Sequence, residues 1–364
     1  MNLLLLVFIV SLLIIYLITN VIFIKGIKKA FVPTTSDIIN LKVSIVIAAK
    51  NEERKIENLI NALENQDYPK EMYEVIIVDD NSRDSTFATV KSIISDKFNF
   101  TALLNNNPEL PPKKGALSLG IEQAQNDFIL ITDADCRPLP GWIKSFVGKF
   151  RDGHDFLIGA APFHQQNNSD INSFVCFENL RTTLLTFSAA AVGFPYSGSA
   201  RSFGFKKEAF NKIGGYKNTL QTIGGDDDLL LQVAVKNNMS VGTVTNREAF
   251  VYSTTPFTFK EYAEQKKRHT KTSHHYLLKN KIIVGYWHLL NSFAFFSILL
   301  FPLSIYFPTL FILKMIVDLS TIRKRQSELA YNFTGYEILL LQFLYELLII
   351  FHFFNSYTKL KKWR

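Results

Sequence analysis

The chain has 364 residues, 48% of them hydrophobic and 13% aromatic, which is room for one large domain or two small ones and excludes a disordered chain. The formal net charge is +8, but the basic residues cluster beside apolar segments. That pattern points to a membrane surface rather than to nucleic acid, and no helix-turn-helix, zinc-finger or RNP pattern is present. The two cysteines, Cys136 and Cys176, lack metal-like spacing and read as free thiols in a reducing compartment. The seven histidines form no H-E-x-x-H motif.

Leu3 to Ile24 is an almost unbroken apolar run, long enough to cross a bilayer as a helix. A cleaved signal would carry its positive charge before a run of roughly 7–15 residues. Here Lys25, Lys28 and Lys29 come after it, so residues 1–24 read as an anchor with residue 25 onward cytoplasmic. Pro33 to Asn40 reads as a linker.

Val43 to Ala49 predicts a buried strand, and Asn51, Glu52 and Glu53 open a helical pattern carried by Ile56, Leu59, Ile60 and Leu63. Glu74 to Val78 predicts a second strand, ending in Asp79 and Asp80, with a helix from about Ser85 to Ser95. Strand, helix, strand, acids, helix is the opening of a doubly wound α/β domain. It lacks the G-x-G-x-x-G turn of a dinucleotide fold. Asn105 to Pro112 is a loop, and the pair Lys113 and Lys114 leads into a helix through Ala124. Lysines at a helix start near strand ends could meet phosphate, or simply be solvated.

Phe128 to Ile131 is an apolar run that ends in two carboxylates one residue apart, Asp133 and Asp135. Read as a buried parallel strand, it places both acids past its carboxyl end, where open α/β sheets bind ligands. Two such acids repel unless a cation lies between them, and oxygen ligands suit Mg²⁺ or Mn²⁺ completed by substrate phosphates. The expectation is a nucleotide-diphosphate site; the alternative is a solvated loop after a strand. A helix follows around Ile143 to Phe150, and residues 156–200 are less regular apart from a helix over Phe174 to Ala191. Phe205 to Phe210 starts another helix, closed by Gly214-Gly215. Gly224-Gly225-Asp226-Asp227-Asp228 then precedes the apolar run Leu229 to Val235; one acid at a helix start is explained by capping, three are not. Val241 to Phe250 reads as a strand, and a polar helix from near Lys260 carries Gln265, Arg268 and His269.

From Ile282 the composition turns apolar. Ile282 to Phe301 and Leu303 to Val317 read as a membrane hairpin, and Glu337 to Phe354 as a further span or an interfacial helix. With three such spans the basic tail, Lys359, Lys361, Lys362 and Arg364, falls outside against the positive-inside rule, so the topology stays open.

With these residues in view, the chain resembles a family 2 glycosyltransferase, similar to members of the ceramide glucosyltransferase and polysaccharide synthase kinds. The likeness rests on Val-Ser-Ile-Val-Ile-Ala-Ala-Lys-Asn-Glu-Glu at 43–53, Val-Asp-Asp-Asn-Ser at 78–82, Lys-Lys-Gly-Ala-Leu at 113–117 and Asp-Ala-Asp at 133–135. Ile-Gly-Gly-Tyr at 213–216, Gly-Asp-Asp-Asp-Leu at 225–229 and Gln-Lys-Lys-Arg-His at 265–269 follow in the family's order. The resemblance implies a GT-A fold, a doubly wound mixed sheet over residues 40–276, flanked by an N-terminal transmembrane helix and by C-terminal membrane segments over 282–355. It implies that Asp79 and Asp80 hold the nucleotide, Asp80 more closely, that Lys113 lies near it, and that Asp133 and Asp135 hold metal and diphosphate. It gives Asp227 as the catalytic base, with Asp226 beside it and the third acid, Asp228, leaving the register open by one. Gln265 and Arg268 match a Gln-x-x-Arg-Trp element whose Trp is His269 here, which leaves acceptor contact and processivity open.

The implied reaction is inverting, metal-dependent transfer of a sugar from a UDP-linked donor to a lipid or glycan acceptor at the cytoplasmic face of a membrane, in a bacterium the inner membrane. No nucleic-acid partner is implied. A processive polysaccharide synthase is the alternative enzyme, and a non-catalytic nucleotide-binding membrane protein the alternative of another class.

Overall fold

A computed structural model describes residues 3–32, 41–106, 109–166 and 169–358. The expected linker at 33–40 and the basic tail from Lys359 lie outside the described residues. The chain divides into two compact units. One comprises Phe31–His164 and Pro195–Pro256; the other comprises Met1–Ala30, Gln165–Phe194 and Phe257–Arg364.

The first unit is built on a sheet of β1 (Val43–Ala49), β2 (Tyr73–Asp79), β3 (Phe100–Leu104), β4 (Phe128–Ile131), β6 (Phe156–Gly159), β7 (Phe203–Lys206) and β8 (Val241–Val244). A small antiparallel ribbon joins β5 (Arg137–Pro138) to β9 (Val251–Tyr252). The main sheet runs β3-β2-β1-β4-β7-β6-β8. Strands β3, β2, β1 and β4 are mutually parallel, β7 is antiparallel to β4 and β6, and β8 is parallel to β6. This is the mixed, doubly wound sheet expected.

The central strands are continuous apolar runs because both sheet faces are covered. Ile45, Ile47, Val75, Ile77 and Leu130 pack into one core with Leu59, Leu63, Trp142, Phe146 and Phe150. Gly120, on the helix Pro112–Gln123, permits close docking: a Cβ there would stand 2.4 Å from Val46 Cγ1.

Several elements differ from the sequence reading, in which β3 and β5 were not read as strands. Phe205 and Lys206 end β7 rather than start a helix, which begins at Lys207. The span read as a strand over Val241 to Phe250 is β8, a short 3-10 turn at Arg247–Ala249 and then β9. In the irregular stretch from 156 lies β6, whose Phe156, Leu157, Ile158 and Gly159 are all buried. Both β6 and β7 are four residues long, too short to show a period.

The second unit is helical: Leu3–Ala30, Asp170–Ala191, Phe259–Ser273, Leu278–Phe296, Phe307–Arg325 and Gly335–Asn355. Three of its helical stretches are long and apolar enough to cross a membrane among the described residues: Leu3–Ala30, Leu278–Leu300 and Gly335–Asn355. The expected second arm of the hairpin, Leu303–Val317, falls mostly on the helix Phe307–Arg325, which is not among them and carries Lys314, Asp318, Arg323, Lys324 and Arg325. Gly26 lets the first helix approach Ser188, whose hydroxyl donates to Phe23 O at 2.8 Å; a Cβ at Gly26 would overlap Ser188 Oγ at 2.2 Å. Small residues at such crossings let helix backbones approach closely. Buried within the unit, Lys314 Nζ meets Asp318 Oδ2 at 2.6 Å and Glu346 Oε1 at 2.8 Å, and Arg181 meets Asp318 Oδ1 at 2.9 Å.

Candidate active site

Parallel β1, β2 and β4 end at one edge of the sheet, and antiparallel β7 begins there, since Phe203 pairs with Ile131. The loops after β1, β2 and β4 and the segment before β7 therefore gather at that edge. This is where open α/β sheets hold ligands.

The first two loops brace one another. Asn51 and Asn81, each following a strand end, adopt the left-handed conformation at φ 56°, which Asn tolerates better than most residues. Asn51 N–H donates to Ser82 Oγ at 2.9 Å, Arg83 N–H donates to Asn51 Oδ1 at 2.8 Å, and Ser85 N–H donates to Glu53 Oε2 at 2.9 Å. Within this frame Asp79 and Asp80 have different surroundings. Asp80 is buried with both oxygens engaged, Oδ2 by Lys50 at 3.1 Å and Oδ1 by Asn105 at 2.8 Å. Asp79 is also buried; its Oδ1 accepts from Ser82 N–H at 3.0 Å, and its Oδ2 has no partner among the described residues. A buried carboxylate oxygen without a donor is costly unless a ligand supplies one.

Asp133 and Asp135 follow β4, each beside a lysine. Lys113 donates to Asp133 Oδ1 at 2.8 Å, and Lys55 lies 3.5 Å from Asp135 Oδ2. Burial lifts the Glu52 carboxyl to about 6; Lys55 pulls it down, while the charges of Asp135 and Asp133 push it up. Anionic charge is thus crowded at this edge. Among the described residues no three His, Cys, Asp or Glu side chains form a cage for an ion. A divalent cation here would take one or two carboxylate oxygens from the protein and the rest from phosphate, which is how Mg²⁺ is commonly held. The oxygen-only donors Asp133 and Asp135 fit that arrangement.

Lys113 also reaches Asp226 Oδ2, at 2.7 Å. Burial opposes the lysine's charge, but Asp133 and Asp226 outweigh it and hold its pKa well above the usual range. Burial likewise opposes charge on Asp226, and Lys113 overcomes it and keeps the acid ionised. Asp227 caps the helix Asp228–Lys236: its Oδ1 accepts from Asp228 N–H at 2.6 Å and its Oδ2 from Ala200 N–H at 2.8 Å. Burial first, then repulsion by Asp228 and Asp226, raises the Asp227 pKa well above that of a free carboxylate. Asp228 Oδ1 accepts from Ser197 Oγ at 2.7 Å and Gly198 N–H at 3.0 Å. The three acids thus divide: Asp226 faces the lysine, while Asp227 and Asp228 fasten the chain ahead of β7.

The structure brings Lys113, Asp133 and Asp226 into one ion-paired group and places Asp79, Asp80 and Asp135 on the same sheet edge. Gln265 and Arg268 lie on the helix Phe259–Ser273 of the helical unit. Sequence reasoning did not single out Lys50, Lys55, Asn105 or Glu52 as site residues. The signal available was position: Lys50, Glu52 and Lys55 directly follow the first strand. Lys114, read as a second candidate for phosphate, is fully buried and donates to the carbonyls of Thr219 and, at 3.0 Å, Thr222. Tyr216, from the Gly-Gly-Tyr turn, is buried with its hydroxyl unpartnered among the described residues, and its pKa is raised well above normal by burial and by Asp226.

A mixed sheet with acids after its second and fourth strands and at a later helix start defines the GT-A class. Residues 44–214 match the model of Glycosyl transferase family 2. Glycosyltransferase AglE of Haloferax volcanii is 31% identical over 126 residues, 34% of this chain and 41% of that protein. The GalNAc(5)-diNAcBac-PP-undecaprenol beta-1,3-glucosyltransferase of Campylobacter jejuni is 28% identical over 127 residues, 35% of this chain and 40% of that protein. The chain thus spans about two fifths of the length of these curated relatives. The solved structure of mannosyltransferase PcManGT from Pyrobaculum calidifontis, in complex with GDP-Man and Mn2+, covers 96% of both chains with a TM-score of 0.56 at 15% identity, a likeness of fold.

Proposed function

We propose that this protein transfers a sugar from a nucleotide sugar, UDP-linked, to a lipid or glycan acceptor, with inversion at the anomeric carbon. The observation that carries the reading is the Lys113 group: one ammonium bridges the strand-end acid Asp133 and the helix-start acid Asp226, at 2.8 and 2.7 Å. It links a diphosphate-type edge to a second acidic element with a separate task.

In this reading Asp79 takes the nucleotide contact, because its buried Oδ2 lacks a donor among the described residues, whereas Asp80 is occupied by Lys50 and Asn105. Uracil N–H or a ribose hydroxyl supplies that donor. Asp135 and Asp133 hold Mg²⁺ or Mn²⁺, which when bound neutralises charge on the leaving diphosphate. Lys113 adds a fixed positive charge at the same place. The acceptor hydroxyl oxygen attacks the anomeric carbon, and the bond from that carbon to the diphosphate oxygen breaks with its electron pair leaving on phosphate. The hydroxyl proton passes to Asp227, whose raised pKa suits a proton acceptor, while Asp226 keeps Lys113 in place.

A membrane-facing acceptor is supported by the three apolar helices and by the Campylobacter relative, whose name gives it an undecaprenol-linked acceptor. The mannosyltransferase neighbour's complex with GDP-Man and Mn2+ supports a metal-assisted nucleotide-sugar site. The positive-inside rule, applied to Lys25, Lys28 and Lys29, sets the sheet unit on the cytoplasmic side, at the inner membrane in a bacterium.

The test incubates membranes carrying the full chain with labelled UDP- and GDP-sugars, with Mn²⁺ or with EDTA. A labelled lipid-soluble product that forms from a UDP-sugar only with metal is expected. A long polymer would turn the assignment to a synthase, and transfer from GDP-sugars alone would overturn the UDP choice. No product from any donor would remove the catalytic reading.

A further inference from the structure

A lysine in the first turn of a helix opposes the helix dipole, and a fully buried one also opposes its own hydration. Lys114 does both. Among the described residues its ammonium has no carboxylate within salt-bridge range; it donates to the main-chain carbonyls of Thr219 and Thr222. Neutral carbonyls compensate a buried charge less well than an acid does, and burial lowers the Lys114 pKa to about 8, with Asp226 and Asp227 acting in the other direction.

The carbonyls it holds lead directly into the acidic loop. Thr222 Oγ1 donates to Gly224 O at 2.8 Å, Gly225 follows in the left-handed region at φ 75°, and Asp226 comes next. Upstream, Thr219 is fully buried and its Oγ1 donates to Tyr216 O at 2.8 Å. Neighbouring Lys113 holds the end of the same loop through Asp226. Two successive residues of one helix therefore hold one loop, the first by side-chain charge and the second by backbone carbonyls.

We propose that Lys114 is a positioning residue for sugar transfer, clamping the 219–224 segment so that Asp226 and Asp227 are presented at fixed height over the sheet edge. The proposal rests on the glycosyl-transfer reading above. Lys114 touches no reacting atom; it acts through the loop.

The experiment compares full-length wild type with Lys114→Met and Lys114→Gln, using hydrogen exchange and steady-state transfer from the labelled UDP-sugar that wild type accepts. Faster amide exchange confined to 219–228 is expected, with unchanged exchange in β1, β2 and β4. A fall in kcat of about tenfold or more with donor KM within twofold is expected alongside it. Gln, which can still donate to one carbonyl, should recover part of both. Unchanged exchange in 219–228, or a lower melting temperature with kcat per folded molecule unchanged, would overturn the proposal. If wild type transfers from no donor, the glycosyl-transfer reading falls and the proposal falls with it; the exchange result shows separately whether the clamp exists.

Discussion

Lys113 Nζ lies 2.7 Å from Asp226 Oδ2, tying the first turn of one helix to the acidic start of another. The same ammonium holds Asp133 at 2.8 Å, so a single charge keeps two acids from repelling each other.

Lys113→Met removes that charge while keeping much of the side chain's bulk. Asp226 is left buried without its ion partner, a change on the scale of 3 kcal/mol or more where burial is complete. Thermal unfolding should show a lower midpoint. Transfer should fall about 10²-fold or more, the usual loss when a fixed group that stabilises developing charge is deleted. A variant with wild-type turnover would place Lys113 outside the chemistry.

Asp135→Ala should abolish the dependence of UDP binding on Mn²⁺, because an anionic oxygen ligand is lost while the diphosphate charge remains. Isothermal titration with UDP, with and without Mn²⁺, reads this directly. Equal metal enhancement in variant and wild type would remove Asp135 from the site.

Asp227→Asn should bind UDP and metal near wild-type strength and lower transfer about 10²-fold or more, the scale of a lost general base. Asn can still cap the helix, but its single acceptor oxygen cannot serve both Asp228 N–H and Ala200 N–H, so a melting curve of the variant accompanies the assay. Asp226→Asn should instead raise the donor KM, since it loosens Lys113. If Asp226→Asn gives the pure kcat loss and Asp227→Asn leaves turnover intact, the base is Asp226.

Lys114 links stability to pH. Its pKa is about 8 in the folded protein and 10.5 when free. Between these values the unfolded chain binds a proton that the folded chain has released, so stability rises with pH through the window. The gain is fully present above 10.5 and is lost as pH falls through 8, on the order of 3 kcal/mol in total. Melting curves at pH 7.5 and 9.5 should therefore show wild type gaining on Lys114→Met at the higher pH. A constant difference would show that Lys114 does not titrate there.

In the helical unit, Lys314→Met leaves buried Glu346 without its ion partner, while buried Asp318 keeps only Arg181. Breaking a buried ion pair from one side costs about 3–5 kcal/mol. Folded yield in detergent should drop sharply, while Lys324→Met, on the same helix, should change little.

From sequence alone, three of the four parallel strands and their acidic edge were legible; β3 was not. Strands β1, β2 and β4 are long or sharply ended apolar runs, and a strand buried on both faces needs such a run. Asp79, Asp133 and Asp135 were legible for the same reason: carboxylates just past a buried strand can stand only at its end. The membrane-length helices Leu3–Ala30 and Gly335–Asn355 were equally plain, since their apolarity is local to each segment. Tertiary structure decided the rest. β6 and β7 are four residues each, and their identity as strands comes from pairing across the sheet rather than from pattern. Residues 165–194 group with the two termini through contacts that no local window contains. Lys113 and Lys114 are adjacent, identical in type and indistinguishable by sequence. One faces the acids and the other is buried on two carbonyls because successive helix residues point about 100° apart. What stands in each direction was supplied by a loop more than a hundred residues further along the chain.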